Sequence, residues 1–313
     1  MLRRISLCLF LIFLQASALA APEGSFSQAA ARIRSIEDGR VSAVFWDLAS
    51  ATEADFQMLG AAGFNEVIVE GRLVVEGTIP KERVMRQILA ASRAGITSFK
   101  FVLGTPEWAT AQQVSARRKV TALAARIVEL KEGLRQRGET RAAGSLKGMV
   151  VNVEPYTQRN WGYDLSGYVQ LHNELQAIAA GKGLTYETFD AFWIGQPMHE
   201  SGNRMTGYQV SPYRTSYVMS YRRSGYDTFK VSEFFATRVP HIVGFDLVSG
   251  GYVGFRENPT ELPQAVSDVV KRTFSVPNRS GFRGIFVNAS RAGDITTLIR
   301  RSTASKEEYA ELH

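Results

Sequence analysis

The segment Gly148-Met-Val-Val-Asn-Val-Glu154 puts an amide and a carboxyl side chain two residues apart at the end of an apolar run. Side chains alternate along a strand, so Val150, Asn152 and Glu154 share one face. By the usual strand rise, Asn152 lies about 7 Å beneath Glu154. Pro155 has no backbone N–H, so it ends pairing there and turns the chain out of the sheet. A carboxylic acid above a polar neighbour and between apolar walls can protonate a glycosidic oxygen. Hydrolysis by paired carboxylates needs a second acid, and Asp246 closes another apolar run.

Further polar groups follow the same pattern. Asp47 and Glu70 end apolar runs, Glu107-Trp108 follows a third, and Tyr221-Arg222 and Asn288 end two more. Buried acids cost free energy unless they are paired or face a cavity. Gathered on one rim with Trp46, Trp108, Tyr156, Trp161 and Trp193, they would line an acidic, aromatic cleft. Such clefts bind sugars by ring stacking and by hydrogen bonds to hydroxyls. Helix caps, ion pairs and helix–sheet packing are the competing uses of the same residues.

Other chemistries are excluded or disfavoured by composition. A single cysteine, Cys8, rules out a disulfide framework and a cysteine-based zinc site. The four histidines, His172, His199, His241 and His313, show no i, i+3 or i, i+4 pair, which argues against a histidine metal cluster. No metal or other cofactor is expected.

The elements that position these residues alternate. Expected strands are 41–47, 66–70, 98–103, 148–154, 189–194, 216–221, 242–246 and 284–288. Between them lie segments of helical period, such as Val84, Met85, Ile88 and Leu89 after Pro80, or Val120, Leu123, Ile127, Leu130 and Leu134. Residues 195–214 show no period and read as a long functional loop. Eight apolar strands alternating with helices predict one α/β domain, a (β/α)8 TIM barrel over residues 41–301. A doubly wound open sheet would want a glycine-rich turn after the first strand, where the chain has Trp46-Asp47-Leu48-Ala49. Barrels of this kind carry chemistry at the carboxyl ends of their strands, where the polar groups above fall.

Residues 1–20 stand apart from the fold. Arg3-Arg4, an apolar stretch from Ile5 to Leu14 and Ala18-Leu19-Ala20 have the form of a cleaved export signal. The apolar run is shorter than the ~20 residues that span a bilayer, so stable membrane insertion after cleavage is not expected. Residues 21–40 form a lead-in and residues 302–313 a polar tail. An exported chain without disulfides suits a periplasm or secretion. The formal charge of +7 falls to +5 without Arg3 and Arg4. The basic residues are dispersed, and no nucleic-acid partner is expected.

Gly148 to Glu154 resembles the fourth strand of glycoside hydrolase family 18, the chitinase-like barrels, whose acidic motif runs D-x-x-D-x-D-x-E. The resemblance implies that Glu154 is the proton donor. It puts Asn152 at the motif's last aspartate, and Lys147 and Val150 at the two earlier ones. Val218-Met219-Ser220-Tyr221 is similar to that family's M-x-Y segment, whose tyrosine holds the substrate acetamido group; Arg222 replaces the aspartate that follows it. In that family the substrate's own acetamido oxygen attacks the anomeric carbon. Asn152-Val-Glu154-Pro155 also looks like the N-E-P end of strand four in clan A glycosidases, which use a nucleophile on strand seven, where this chain has Asp246.

The resulting expectation is an exported glycoside hydrolase acting on a polysaccharide or glycan, with N-acetylhexosamine units among the candidate sugars. Glu154 is its general acid/base, with Asn152, Tyr221 and Asp246 as catalytic partners. Trp46, Asp47, Glu70, Trp108, Tyr156, Trp193, Arg222 and Asn288 bind substrate. The alternative is a catalytically silent barrel that binds a glycan or a partner protein.

Overall fold

The computed structural model describes residues 26–110, 112–154, 157, 165–192, 215–221, 224–236, 239–247, 261–277, 279 and 281–303. The strands are β1 (Arg40–Phe45), β2 (Glu66–Glu70), β3 (Ser98–Leu103), β4 (Leu146–Asn152), β5 (Thr185–Ala191), β6 (Ser216–Met219), β7 (His241–Asp246) and β8 (Phe282–Ala289). The helices among the described residues are α1 (Phe26–Arg34), α2 (Glu53–Ala61), α3 (Arg72–Val75), α4 (Lys81–Arg93), α5 (Gln113–Gln136), α6 (Thr140–Ser145), α7 (Leu165–Ala180), α8 (Gly225–Ala236), α9 (Glu261–Ser275) and α10 (Ala292–Thr303).

All eight strands are parallel and close into a barrel in chain order, with β1 paired to both β2 and β8. The fold is therefore a (β/α)8 TIM barrel. Closure follows from the sequence pattern. Most strand residues are apolar on both faces, so one face packs against the helical ring and the other fills the barrel. The inner layer is Val44, Ile68, Val102, Val150, Phe189, Tyr217, Ile242 and Phe286, all buried. The larger cluster between strands and helices includes Phe56, Ile88, Leu123, Ile127, Leu175 and Val269.

Several features depart from the sequence expectation, among them β1 and β6, which each end two residues early, at Phe45 and Met219. Helix α1 lies in the lead-in. Phe26, Ala29, Ala30 and Ile33 recur at helical spacing and are buried, and Phe26 stacks on Phe64 with ring centroids 5.1 Å apart. Strand β5 starts four residues earlier than expected and stops at Ala191; Thr185, Glu187 and Thr188 make its first half read as polar. Strand β4 ends at Asn152, so Glu154 stands two residues past the strand.

Glu187 is polar because it belongs to a buried ion network at the amino-terminal end of the barrel. Lys100 lies 2.7 Å from Glu66 and also contacts Glu187, while its ammonium donates to the Tyr217 hydroxyl at 3.0 Å. Arg40 reaches Glu187 at 2.6 Å. Ser42 and Ser98 donate to the two oxygens of Glu66 at 2.8 and 2.7 Å. Burial pushes the Glu66 carboxyl up, but Lys100 and Arg40 outweigh it and pull it down to about 2. Tyr217 moves the other way, raised by burial and by the charges of Glu187 and Glu66.

His241 opens β7 and is also buried, packed between Phe235 and Phe282. Burial lowers it from 6.5 to about 4. A base whose folded value lies below its unfolded value favours the folded state when neutral. That contribution is complete above about pH 6.5 and disappears as pH falls to about 4. Stability should therefore drop over that window by on the order of 3 kcal/mol, at ~1.4 kcal/mol per unit. Urea unfolding midpoints measured from pH 7 to pH 4 test this. The His241→Phe variant should flatten the slope, and an equally steep variant would assign it elsewhere.

Candidate functional site

At the carboxyl end of the barrel, alternation brings residues from six of the strand ends above the apolar layer. Trp46, Met219 and Tyr221 pack against that layer from above. Tyr221 meets Phe286 edge-on, with ring centroids 6.1 Å apart. Around them stand Glu70, Asn152, Asp246 and Asn288, each an even number of residues along its strand from an inner-layer side chain.

Two acids hold this rim together through amides. The indole Nε1–H of Trp46 donates to Asn288 Oδ1 at 3.1 Å. Asn288 Nδ2 then donates to Asp246 Oδ1 at 2.8 Å. On the other side, Asn152 Nδ2 donates to Glu154 Oε1 at 3.0 Å. Both acids lie within electrostatic reach of Tyr221. Burial raises its phenol well above the ordinary tyrosine value, and the charges of Asp246 and Glu154 add to the effect. Both carboxylates thus act on one phenol, which stays protonated and can only serve as a neutral hydrogen-bonding group.

Beside this cluster opens a cavity of about 280 Å³. Trp46, Glu70, Val102, Gly104, Trp108 and Asn152 form part of its wall. At ~30 Å³ per water it holds roughly nine waters, room for one sugar ring. Gly104 is required here. Its φ is +152°, and a Cβ would lie 1.8 Å from the Asn152 carbonyl oxygen. Only glycine lets the end of β3 pass this close to the end of β4.

The expected site residues are placed as follows. Trp46, Glu70, Asn152 and Trp108 share the cavity wall, and Asp246, Asn288 and Trp46 form one hydrogen-bonded chain. Glu70 is engaged by Arg72 at 2.9 Å, so it faces the cavity as half of an ion pair. Trp108 is only 1% exposed and backs the cavity without offering an open stacking face. Asp47 does not join the cluster. Trp46 points inward, so its neighbour points outward, where Asp47 caps the turn at Leu48–Ser50 by accepting from Ser50 N at 3.1 Å. Tyr156, Trp161, Trp193 and Arg222 lie outside the described residues. Val150, at one of the family motif's aspartate positions, belongs to the apolar layer, and Lys147 is exposed.

Sequence reasoning missed Arg72, Gly104, Thr105 and Lys119, which line the cavity from α3, from the loop after β3 and from α5. No periodic signal marks such residues. It also missed the ion network below, although a lysine inside Phe99-Lys100-Phe101 was a visible signal. Among the described residues, no group of three or more histidine, cysteine, aspartate or glutamate side chains is placed to hold a metal. No described helix is long and apolar enough to cross a membrane.

Neither a protein-family model nor any curated protein matches the sequence. Solved structures do match, and the likeness is one of fold. An exo-beta-1,4-mannosidase from Opitutaceae bacterium strain TAV5 aligns with TM-score 0.50 and 12% identity, over 79% of this chain and 51% of its own. A sugar phosphate isomerase/epimerase from Parabacteroides distasonis aligns with TM-score 0.49 and 10% identity, over 85% and 98%. A GH18 chitinase from Pseudoalteromonas aurantia aligns with TM-score 0.47 and 13% identity, over 83% and 99%.

Proposed function

We propose that this chain is an exported glycoside hydrolase that acts on a polysaccharide or glycan. The observation that carries the reading is a pair of amide-held carboxylates at the barrel mouth, Glu154 on Asn152 at 3.0 Å and Asp246 on Asn288 at 2.8 Å, with the half-buried Tyr221 near both. The adjoining cavity of about 280 Å³ is indole-walled and sized for a sugar ring. The mannosidase and chitinase alignments agree with it at the level of the barrel plan.

In this reading a sugar ring enters the cavity beside Trp46 and its glycosidic oxygen meets Glu154, the general acid. Asn152 holds Glu154 by one oxygen. Asp246 is the nucleophile or the base that activates water, as in two-carboxylate hydrolysis. With an N-acetylhexosamine substrate the acetamido oxygen takes the nucleophile's place. Asn152 and Tyr221 would then orient that group, and Asp246 would stabilise developing positive charge.

The test is release of reducing ends from a panel of acetylated and non-acetylated oligosaccharides. Cleavage of any member supports hydrolysis, and the acetylation preference separates the two mechanisms. Binding without cleavage across the panel would replace this reading with a silent glycan-binding barrel.

A further inference from the structure

The two acids are held by asparagine amides, and the two amides differ in what they can do. An indole N–H is a donor only. The atom of Asn288 that faces Trp46 Nε1 must therefore be its oxygen. Turning the Asn288 amide would set its NH2 against the indole N–H, donor against donor. With Oδ1 committed to Trp46 at 3.1 Å, Nδ2 is committed to Asp246 Oδ1 at 2.8 Å. Asn288 is 9% exposed, so both of its hydrogen bonds are largely shielded from solvent. That oxygen of Asp246 can only accept, which favours the carboxylate over the acid.

Asn152 is under no such constraint. Its Nδ2 donates to Glu154 Oε1 at 3.0 Å, while its Oδ1 is buried with no partner among the described residues. A half-turn about the terminal torsion leaves the number of partners unchanged. It presents the oxygen to a protonated Glu154 and the NH2 to an ionised one. Asn152 can follow Glu154 through a change of protonation, whereas Asn288 cannot follow Asp246.

We propose that Trp46 and Asn288 are positioning residues that lock Asp246 as an ionised hydrogen-bond acceptor, while Asn152 leaves Glu154 free to exchange its proton. This division of labour rests on the hydrolase reading for its use in catalysis. The lock itself is a property of the folded protein. Tyr221 comes from the turn after β6 and is the phenol that both Asp246 and Glu154 raise. Asn288 from β8 and Trp46 from β1 carry no charge. Glu70, in the next sector, is neutralised by Arg72. The hydrogen bond that Asn288 donates is a contact that favours negative charge on Asp246.

The test is carboxyl titration in full-length protein carrying 13C at the aspartate side-chain carbons. The Asp246 signal is identified by its loss in Asp246→Asn. Trp46→Phe keeps an aromatic ring but frees Asn288 to turn, and the Asp246 midpoint should rise by about one unit or more. Asn288→Leu removes the donor outright and should shift the midpoint in the same direction, which covers the case in which Trp46→Phe fails to fold. A folded variant whose midpoint moves by less than about 0.3 unit overturns the lock. A shifted midpoint in a protein that cleaves no oligosaccharide keeps the lock and removes the hydrolase reading. An unshifted midpoint in a protein that does cleave removes the lock alone.

Discussion

Glu154→Gln should lower the rate of glycan hydrolysis by roughly 100-fold or more, the usual contribution of a positioned general acid. The substitution is suited to the question because the geometry survives it. The glutamine oxygen can still accept from Asn152 Nδ2, as Glu154 Oε1 does at 3.0 Å. What is lost is the transferable proton. Glu154 is half-buried and lies two residues beyond β4, so folding stability should change by no more than about 0.5 kcal/mol. Steady-state rates together with urea midpoints decide between roles. Near-normal turnover would remove Glu154 from the chemistry, and a large loss of stability would make it a structural residue. Two companion variants sort the mechanism. Asp246→Asn should be the more damaging in two-carboxylate hydrolysis, since it removes the nucleophile or base. Asn152→Asp should preserve or raise activity on N-acetylated substrates if the acetamido group attacks, because a carboxylate better stabilises the positive ring formed.

Lys100→Met should destabilise the fold by about 3–5 kcal/mol, the usual cost of stripping one partner from a buried ion pair. Lys100 is 2% exposed and lies between Glu66 and Glu187. Without it, Glu66 keeps only Arg40 at 3.8 Å as a cationic partner. The pH dependence should change sign as well. In the parent, Glu66 is pulled from 4.5 to about 2, so its contribution is present above about pH 4.5 and is lost as pH falls towards 2. Without Lys100, burial dominates and raises the Glu66 carboxyl, so the variant should instead lose stability as pH rises through that raised value. Adding Glu66→Gln and Glu187→Gln to Lys100→Met removes the stranded charges and should recover most of the loss. Urea unfolding at several pH values measures all of this. A loss below about 1 kcal/mol for the single variant would mean that water or Arg40 already carries the charge balance.

The order of elements was written in the sequence because it depends on local periodicity. Runs such as Glu66–Glu70 and Ser98–Leu103 matched the observed strands, and the helix after Pro80 began where proline allows. Eight such units leave few ways to bury both faces of every strand, so the closed barrel followed. The carboxyl-end location of Asn152, Tyr221, Asp246 and Asn288 followed from the same logic. Local pattern failed where a polar side chain was satisfied by a distant residue. Glu187 made the start of β5 look like a loop, since its partners Lys100 and Arg40 come from β3 and β1. The parity of β1 was equally hidden. Trp46 and Asp47 are adjacent and both plausible in a cleft, and only the inward direction of Val44 fixed which of them faces the barrel. The chain from Trp46 through Asn288 to Asp246 joins β1, β8 and β7. No spacing along the sequence encodes it. It exists because closure sets the first strand beside the last, and because an indole that can only donate dictates which way the next amide must point.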